Sequence, residues 1–290
     1  MLLEQHLSIL VKPSNPVLHR QSHREIREYI CRTLEDLGRS LTLQEFPTPL
    51  VDEDKCPVMG LNIFAQALDP QQASSLVVAH YDTVDHSPGA DDNRSAVAIA
   101  LELSAKCPNT AFLFPDLEER DLLGSRHFAK SELCPDLPAL VLESVGYWNE
   151  EANSQSFPEE MPLLFSEQLH SIEARGFRGN FWAILCLDKD IERAQDLANN
   201  LNTNTLILPV PEALLFGNDG KELRDFGRSD HLAFWEQNRT CLMLTDTANF
   251  RNPNYHQTSD RIETLNLEKM EQLALDLTKY LNGTDGYQVH

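Results

Sequence analysis

The chain has 290 residues, 41% of them hydrophobic, enough apolar material for one large α/β domain with a sizeable core. Its formal net charge of -21 at pH 7 argues against nucleic acid or an anionic membrane surface as a partner, because both require a basic footprint. No window approaches the roughly 18 apolar residues of a membrane-spanning helix.

The first stretch, Met1 to Val11, is short and amphipathic, with no basic leader and no small-residue cleavage site, so a cytoplasmic protein is expected. Its Cys31, Cys56, Cys107, Cys134, Cys186 and Cys241 are scattered without a Cys-x-x-Cys pair, which suits reduced thiols better than a disulfide framework. Ser22 and Glu25 are spaced as a capping box, Ile26, Tyr29, Ile30, Leu34 and Leu37 trace one helical face, and Gly38 closes the helix. Leu41 to Phe46 and Leu61 to Leu68 alternate as half-exposed strands, with Pro47, Pro49 and Pro57 marking a loop between them. Leu76 to Ala79 reads as a central strand and Ser95 to Lys106 as an Ala-rich, tightly packed helix.

Buried strands follow at Ala111 to Phe114 and Ala139 to Leu142, with a short helix between them over Gly124 to Ser131. Beyond a polar stretch from Tyr147 to Gly179, expected to be a long loop or small cap, come strand Phe181 to Leu187, helix Ile191 to Leu201 and strand Thr205 to Pro209. Ser229 to Gln237 reads as a helix, Cys241 to Leu244 as a strand, and Leu267 to Leu281 as a last helix stopped by Gly283. This alternation predicts a three-layer α/β/α sandwich with a mixed, mostly parallel sheet, in a single catalytic domain over residues 1–290.

Five short stretches supply metal-type ligands in chain order. His80 and Asp82 are two apart in extended chain, so they project to the same side, where His80 can ligate a metal and Asp82 can orient it. A lone histidine after a strand is ordinarily structural; here the company it keeps argues otherwise. Gly89-Ala90-Asp91-Asp92-Asn93 runs into the Ala-rich helix, and alone would read as an acidic helix start. Beside the His80 motif, Asp92 becomes a candidate bridge between two cations, with Asp91 supporting the loop. In Glu118-Glu119, adjacent side chains diverge, so one can bind metal while the other serves as general base. Glu143 follows the strand ending at Leu142, and His256 follows Tyr255 after the late strand. Imidazole and carboxylate are the donors that catalytic zinc favours.

These strings resemble the co-catalytic zinc aminopeptidases, in the exopeptidase superfamily that also contains the glutaminyl cyclases. The resemblance runs from about Leu61 to Asp260 and rests on Ala79-His80-Tyr81-Asp82, Pro88 to Asn93, Glu118-Glu119 with Gly124-Ser125, and Tyr255-His256-x-x-x-Asp260. It implies two zinc ions, one on His80, Asp92 and Glu143, the other on Asp92, Glu119 and His256, with Glu118 as the base. The chain departs from the family pattern in carrying Glu143 where Asp is usual and Arg120-Asp121 where a small residue and Gly are usual. Ser229-Asp230-His231 reads either as a capped helix start or as an active-site border, so Asp230 and His231 join Tyr255 as pocket candidates, while His86 and His127 read as surface or structural. The function expected is hydrolysis of the N-terminal bond of a peptide or small aminoacyl substrate. Two alternatives stand beside it: a one-zinc glutaminyl cyclase-like aminoacyltransferase, and a binding relative without chemistry.

Overall fold

A computed structural model describes residues 2–52, 54–217 and 220–283. In chain order the elements are α1 (Leu2–Leu10), α2 (Arg20–Asp36), β1 (Leu41–Val51), β2 (Pro57–Ala65), β3 (Ser75–Val78), α3 (Ala96–Lys106), β4 (Thr110–Phe114), α4 (Leu123–Ala129) and β5 (Ala139–Glu143). There follow α5 (Met161–Leu164), α6 (Ser166–Glu173), β6 (Trp182–Leu187), α7 (Ile191–Asn200), β7 (Thr205–Val210), α8 (Glu212–Leu215), α9 (His231–Trp235), β8 (Cys241–Thr245) and α10 (Leu267–Asn282). Among the described residues no helix is long and apolar enough to cross a membrane.

The strands form one sheet in the order β1-β2-β4-β3-β5-β8-β6-β7. Strands β3, β4, β5 and β8 run parallel to one another, as β6 does to β7, while β1-β2, β2-β4 and β6-β8 are antiparallel. The sheet is mixed and mostly parallel, as the alternation predicted. Because successive side chains point to opposite faces, each apolar run feeds two cores. Val77, Phe112, Phe114, Leu140 and Leu142 pack under α1, α2, α3, α7 and α10. Leu76, Val78, Leu113 and Val141 pack against Phe128 of α4, Ile172 of α6 and Phe234 of α9. Burial on both faces is why the central strands read as continuous apolar runs rather than alternating ones.

Two local expectations fail. Helix α2 begins at Arg20, so Ser22 lies inside its first turn, and its hydroxyl donates to the Pro13 and His19 carbonyls instead of capping. The other end forms as expected: Gly38 at φ 78° donates to the Glu35 carbonyl and Arg39 to that of Leu34. The prolines read as a loop instead lie in strand, Pro47 and Pro49 in β1 and Pro57 at the start of β2. Strand β1 is an edge of the sheet, where a missing N–H costs no ladder bond.

Candidate metal centre

β3 sits where the sheet order switches, with β4 on one side and β5 on the other, and such a crevice at the carboxyl ends of parallel strands is where open α/β sheets place ligands. The structure fills this crevice with the residues singled out above. His80 stands two residues past β3, Glu118 and Glu119 on a 3-10 turn past β4, Glu143 at the end of β5, and His256 on the loop between β8 and α10. Asp92 is delivered from the loop ahead of α3.

The distances show which groups meet. His80 Nε2 lies 3.3 Å from Asp92 Oδ1, 3.5 Å from Glu143 Oε2 and 3.8 Å from Glu118 Oε2. His256 Nε2 lies 3.0 Å from Asp92 Oδ2 and 3.2 Å from Glu119 Oε2. Asp92 therefore offers one oxygen to each imidazole. His80, Glu118 and Glu143 bring ligand atoms within 4.8 Å of one another, and so do Asp92, Glu119 and His256.

The donor set fits divalent cations. Both ring nitrogens of His80, Nε2 of His256 and Oε1 of Glu119 are buried and reach no hydrogen-bonding geometry with a described neighbour, a costly state for polar atoms. Electrostatics agrees. Burial pushes Glu118 well above its ordinary range and lifts Glu119 to about 7, where Asp92 adds to the effect. Burial opposes charge on the imidazoles too, yet the surrounding carboxylates raise His80 well above normal and His256 to about 10. A buried cluster that drives its own histidines to become cations is one that binds positive charge.

Much of this geometry is fixed from behind. Asp82 lies 3.4 Å from His80 Nδ1 and accepts the backbone N–H groups of both Glu118 and Glu119, so one buried carboxylate ties two motifs together. Asp260 accepts the N–H groups of Asp91 and Asp92. The Asp91 carboxylate accepts from Gly146 N and Asn252 Nδ2, and Asn93 bridges the Leu142 carbonyl and Ser144 N–H. Left-handed backbone at Leu117, Ser144 and His256 adds local strain at three of the ligand-bearing turns.

Sequence reasoning did not give Ser229 this place: its hydroxyl donates to Glu143 Oε2 at 2.6 Å, and Asp230, not Ser229, precedes α9. The only available signal was its position beside Asp230-His231, since its partner is 86 residues away.

Beside the cluster opens a cavity of about 590 Å³ whose wall includes Asp92, Glu118, Glu119, Glu143, Tyr255 and His256. Tyr255 stacks on His256 with ring centroids 3.8 Å apart. Asp230 and His231, expected at the pocket, are not on its wall; both are fully buried beneath it. His231 Nε2 meets the Phe226 carbonyl at 2.9 Å, and burial lowers its pKa to about 4, so it is a neutral packing histidine against Trp235. His86 and His127 are exposed, the latter stacked on Phe46.

Residues 62–176 match peptidase family M28. That span carries His80, Asp92, Glu118, Glu119 and Glu143, with His256 beyond it. An uncharacterized protein of Escherichia coli, YfbL, is 29% identical over 271 residues, covering 85% of this chain and 76% of its own. Aminopeptidase YwaD of Bacillus subtilis is 26% identical over 215 residues, covering 68% of this chain and 38% of its own length. Among solved structures, a zinc aminopeptidase from Bacillus subtilis shares the fold at a TM-score of 0.66 and 15% identity, over 96% of this chain and 93% of that one. A Porphyromonas gingivalis glutaminyl cyclase shares it at 0.56 and 17%, over 97% and 95%. The segment similar to peptidase family M28 thus lies across five of the clustered side chains, and the chain shares its fold with these enzymes.

Proposed function

We propose that this protein is a zinc-dependent aminopeptidase that hydrolyses the N-terminal peptide bond of its substrate and binds two metal ions. The observation that carries this reading is Asp92, whose two oxygens address the two imidazoles separately. His80, Asp92 and Glu143 would hold one ion, and Asp92, Glu119 and His256 the other. Bound there, zinc would polarise the scissile carbonyl and bring the pKa of a water from about 15.7 toward about 7.

Glu118 then remains for proton transfer. Its Oε2 is farther from His80 than either Asp92 or Glu143, and it faces the cavity. The Glu118 carboxylate takes a proton from the attacking water and returns it to the nitrogen of the leaving amine. Asp82 keeps His80 and the Glu118-Glu119 turn in register. Beyond the cluster one part of the wall is apolar, with Phe181, Leu185, Leu208, Phe226 and Met243 available to an uncharged side chain.

The test is metal analysis beside a panel of aminoacyl anilides and N-terminal glutamine peptides. About two zinc per chain with released anilide supports the proposal. One zinc with ring closure of glutamine would replace it with the cyclase reading, and a protein that cannot be loaded with metal would sink both.

A further inference from the structure

Among the described residues the cavity wall carries two arginines, and they are in different states. Arg126 already has its bidentate edge filled: Nε and Nη2 bind the Glu236 carboxylate at 3.2 and 2.9 Å, and Nη1 binds the Asp121 carbonyl at 2.9 Å and carboxylate at 2.8 Å. Arg228 is held along one side only. Its Nη1 donates to Asp225 Oδ1 at 3.2 Å and Asn249 Oδ1 at 3.0 Å, and its Nη2 donates to the Tyr255 hydroxyl at 3.2 Å. Among the described residues no acceptor meets its Nε–H or the second Nη2–H. These parallel donors are the pair a guanidinium presents to a carboxylate.

Place adds to shape. The Arg228 side chain is 38% exposed, whereas Asp92 is 4% exposed, so the cation stands toward the cavity mouth and the acidic cluster at its floor. The Tyr255 ring lies 3.8 Å from the His256 ring and 6.0 Å from the Arg228 guanidinium carbon, so one aromatic ring separates the cation from a cluster residue. An extended peptide advances about 3.3–3.6 Å per residue, so a chain cut at its first bond would bring its carboxylate to that distance within two or three residues.

We propose that Arg228 receives the C-terminal carboxylate of a short peptide, making dipeptides and tripeptides the favoured substrates of this site. The proposal rests on the aminopeptidase reading above. A short free-acid peptide then spans the cavity, with its N-terminal bond at the metal-binding floor and its carboxylate at the mouth. Longer peptides and C-terminal amides forgo the second contact. Arg228 is a binding residue here, and its alternative role is to brace the loop through Asp225, Asn249 and Tyr255.

The experiment measures kcat/KM of the metal-loaded enzyme for a dipeptide and a tripeptide, their C-terminal amides, and the matching aminoacyl anilide. In the wild type the free acids should exceed their amides by about 10-fold or more, the scale of a charge-assisted bidentate contact. In Arg228→Met that ratio should fall toward one, with Arg228→Lys between. A wild-type ratio near one would overturn the proposal even if the variants do not fold, and so would a ratio unchanged in Arg228→Met, which is what a brace predicts. Failure to cleave the anilide and every peptide with metal bound would overturn the aminopeptidase reading and this proposal with it.

Discussion

His80 follows a strand in the middle of the sheet and is fully buried, whereas His256 sits on a loop ahead of α10 with its side chain 32% exposed. Both present Nε2 to one oxygen of Asp92, so the chemistry of the two halves is alike and their mechanics differ. The His80 half is fixed by strand ends: β3 and β5 are hydrogen-bonded to each other in parallel register, and Asp82 and Ser229 hold the side chains. The His256 half depends on left-handed backbone at His256, φ 58°, and on the Tyr255 stack. A preorganised ligand set and a set assembled by a loop should bind the same ion with different tenacity.

Variants of the groups the halves share should have the largest effects. Asp92→Asn removes the bridging charge, and it should abolish turnover and lower metal content at both halves; unchanged zinc by metal analysis would refute the bridge. Glu118→Gln should keep the metal and lose about 10²–10⁴-fold in kcat, the usual contribution of a positioned proton acceptor. If that variant turned over at the wild-type rate with metal bound, Glu118 would not be the base. Asp82→Ala reaches both halves, since it frees His80 and also releases the Glu118 and Glu119 N–H groups. It should weaken the tighter metal site by about 10–100-fold. A limiting chelator on the wild type should strip the His256 half first, leaving a one-metal species; simultaneous loss of both ions would break the contrast.

How much of this could be read from sequence follows the same division. The His80 half was legible because ligands at strand ends follow apolar runs: Leu76 to Ala79 gives His80, and Ala139 to Leu142 gives Glu143. The sheet was legible for the same reason. Contacts closed over long loops left no local pattern. Asp260 accepts from Asp91 and Asp92 across more than 160 residues, and the Asn252–Asp91 bond spans 161. Asp230 and His231 looked like an active-site pair and are buried beneath the wall, because an acid-imidazole dipeptide at a helix start says nothing of which face it turns to. The helices α5 and α6, in the polar stretch 147–179, are 4 and 8 residues long, too short for a clear apolar period to emerge.

The smallest effect concerns Glu143, which departs from the pattern of the family this chain resembles. Glu143 is one methylene longer than the usual Asp, and a longer carboxylate has more rotamers to lose on binding a metal. The structure restrains it at both oxygens: Ser229 donates to Oε2 at 2.6 Å and Ser144 to Oε1 at 3.3 Å. The first is the stronger bond, short and charge-assisted, and it brings a segment 86 residues away against the end of β5. Ser229→Ala should therefore leave the fold and the His256 half as they are, and cost about 1.5 kcal/mol at the His80 half, the low end of the worth of a hydrogen bond to a charged group. Titrating zinc into the metal-free variant reads this as roughly a tenfold weakening of the tighter of two binding steps. If the weaker step moved instead, Glu143 would belong with His256. If neither moved, Ser229 would only be satisfying a buried carboxylate, and the extra methylene would need no brace.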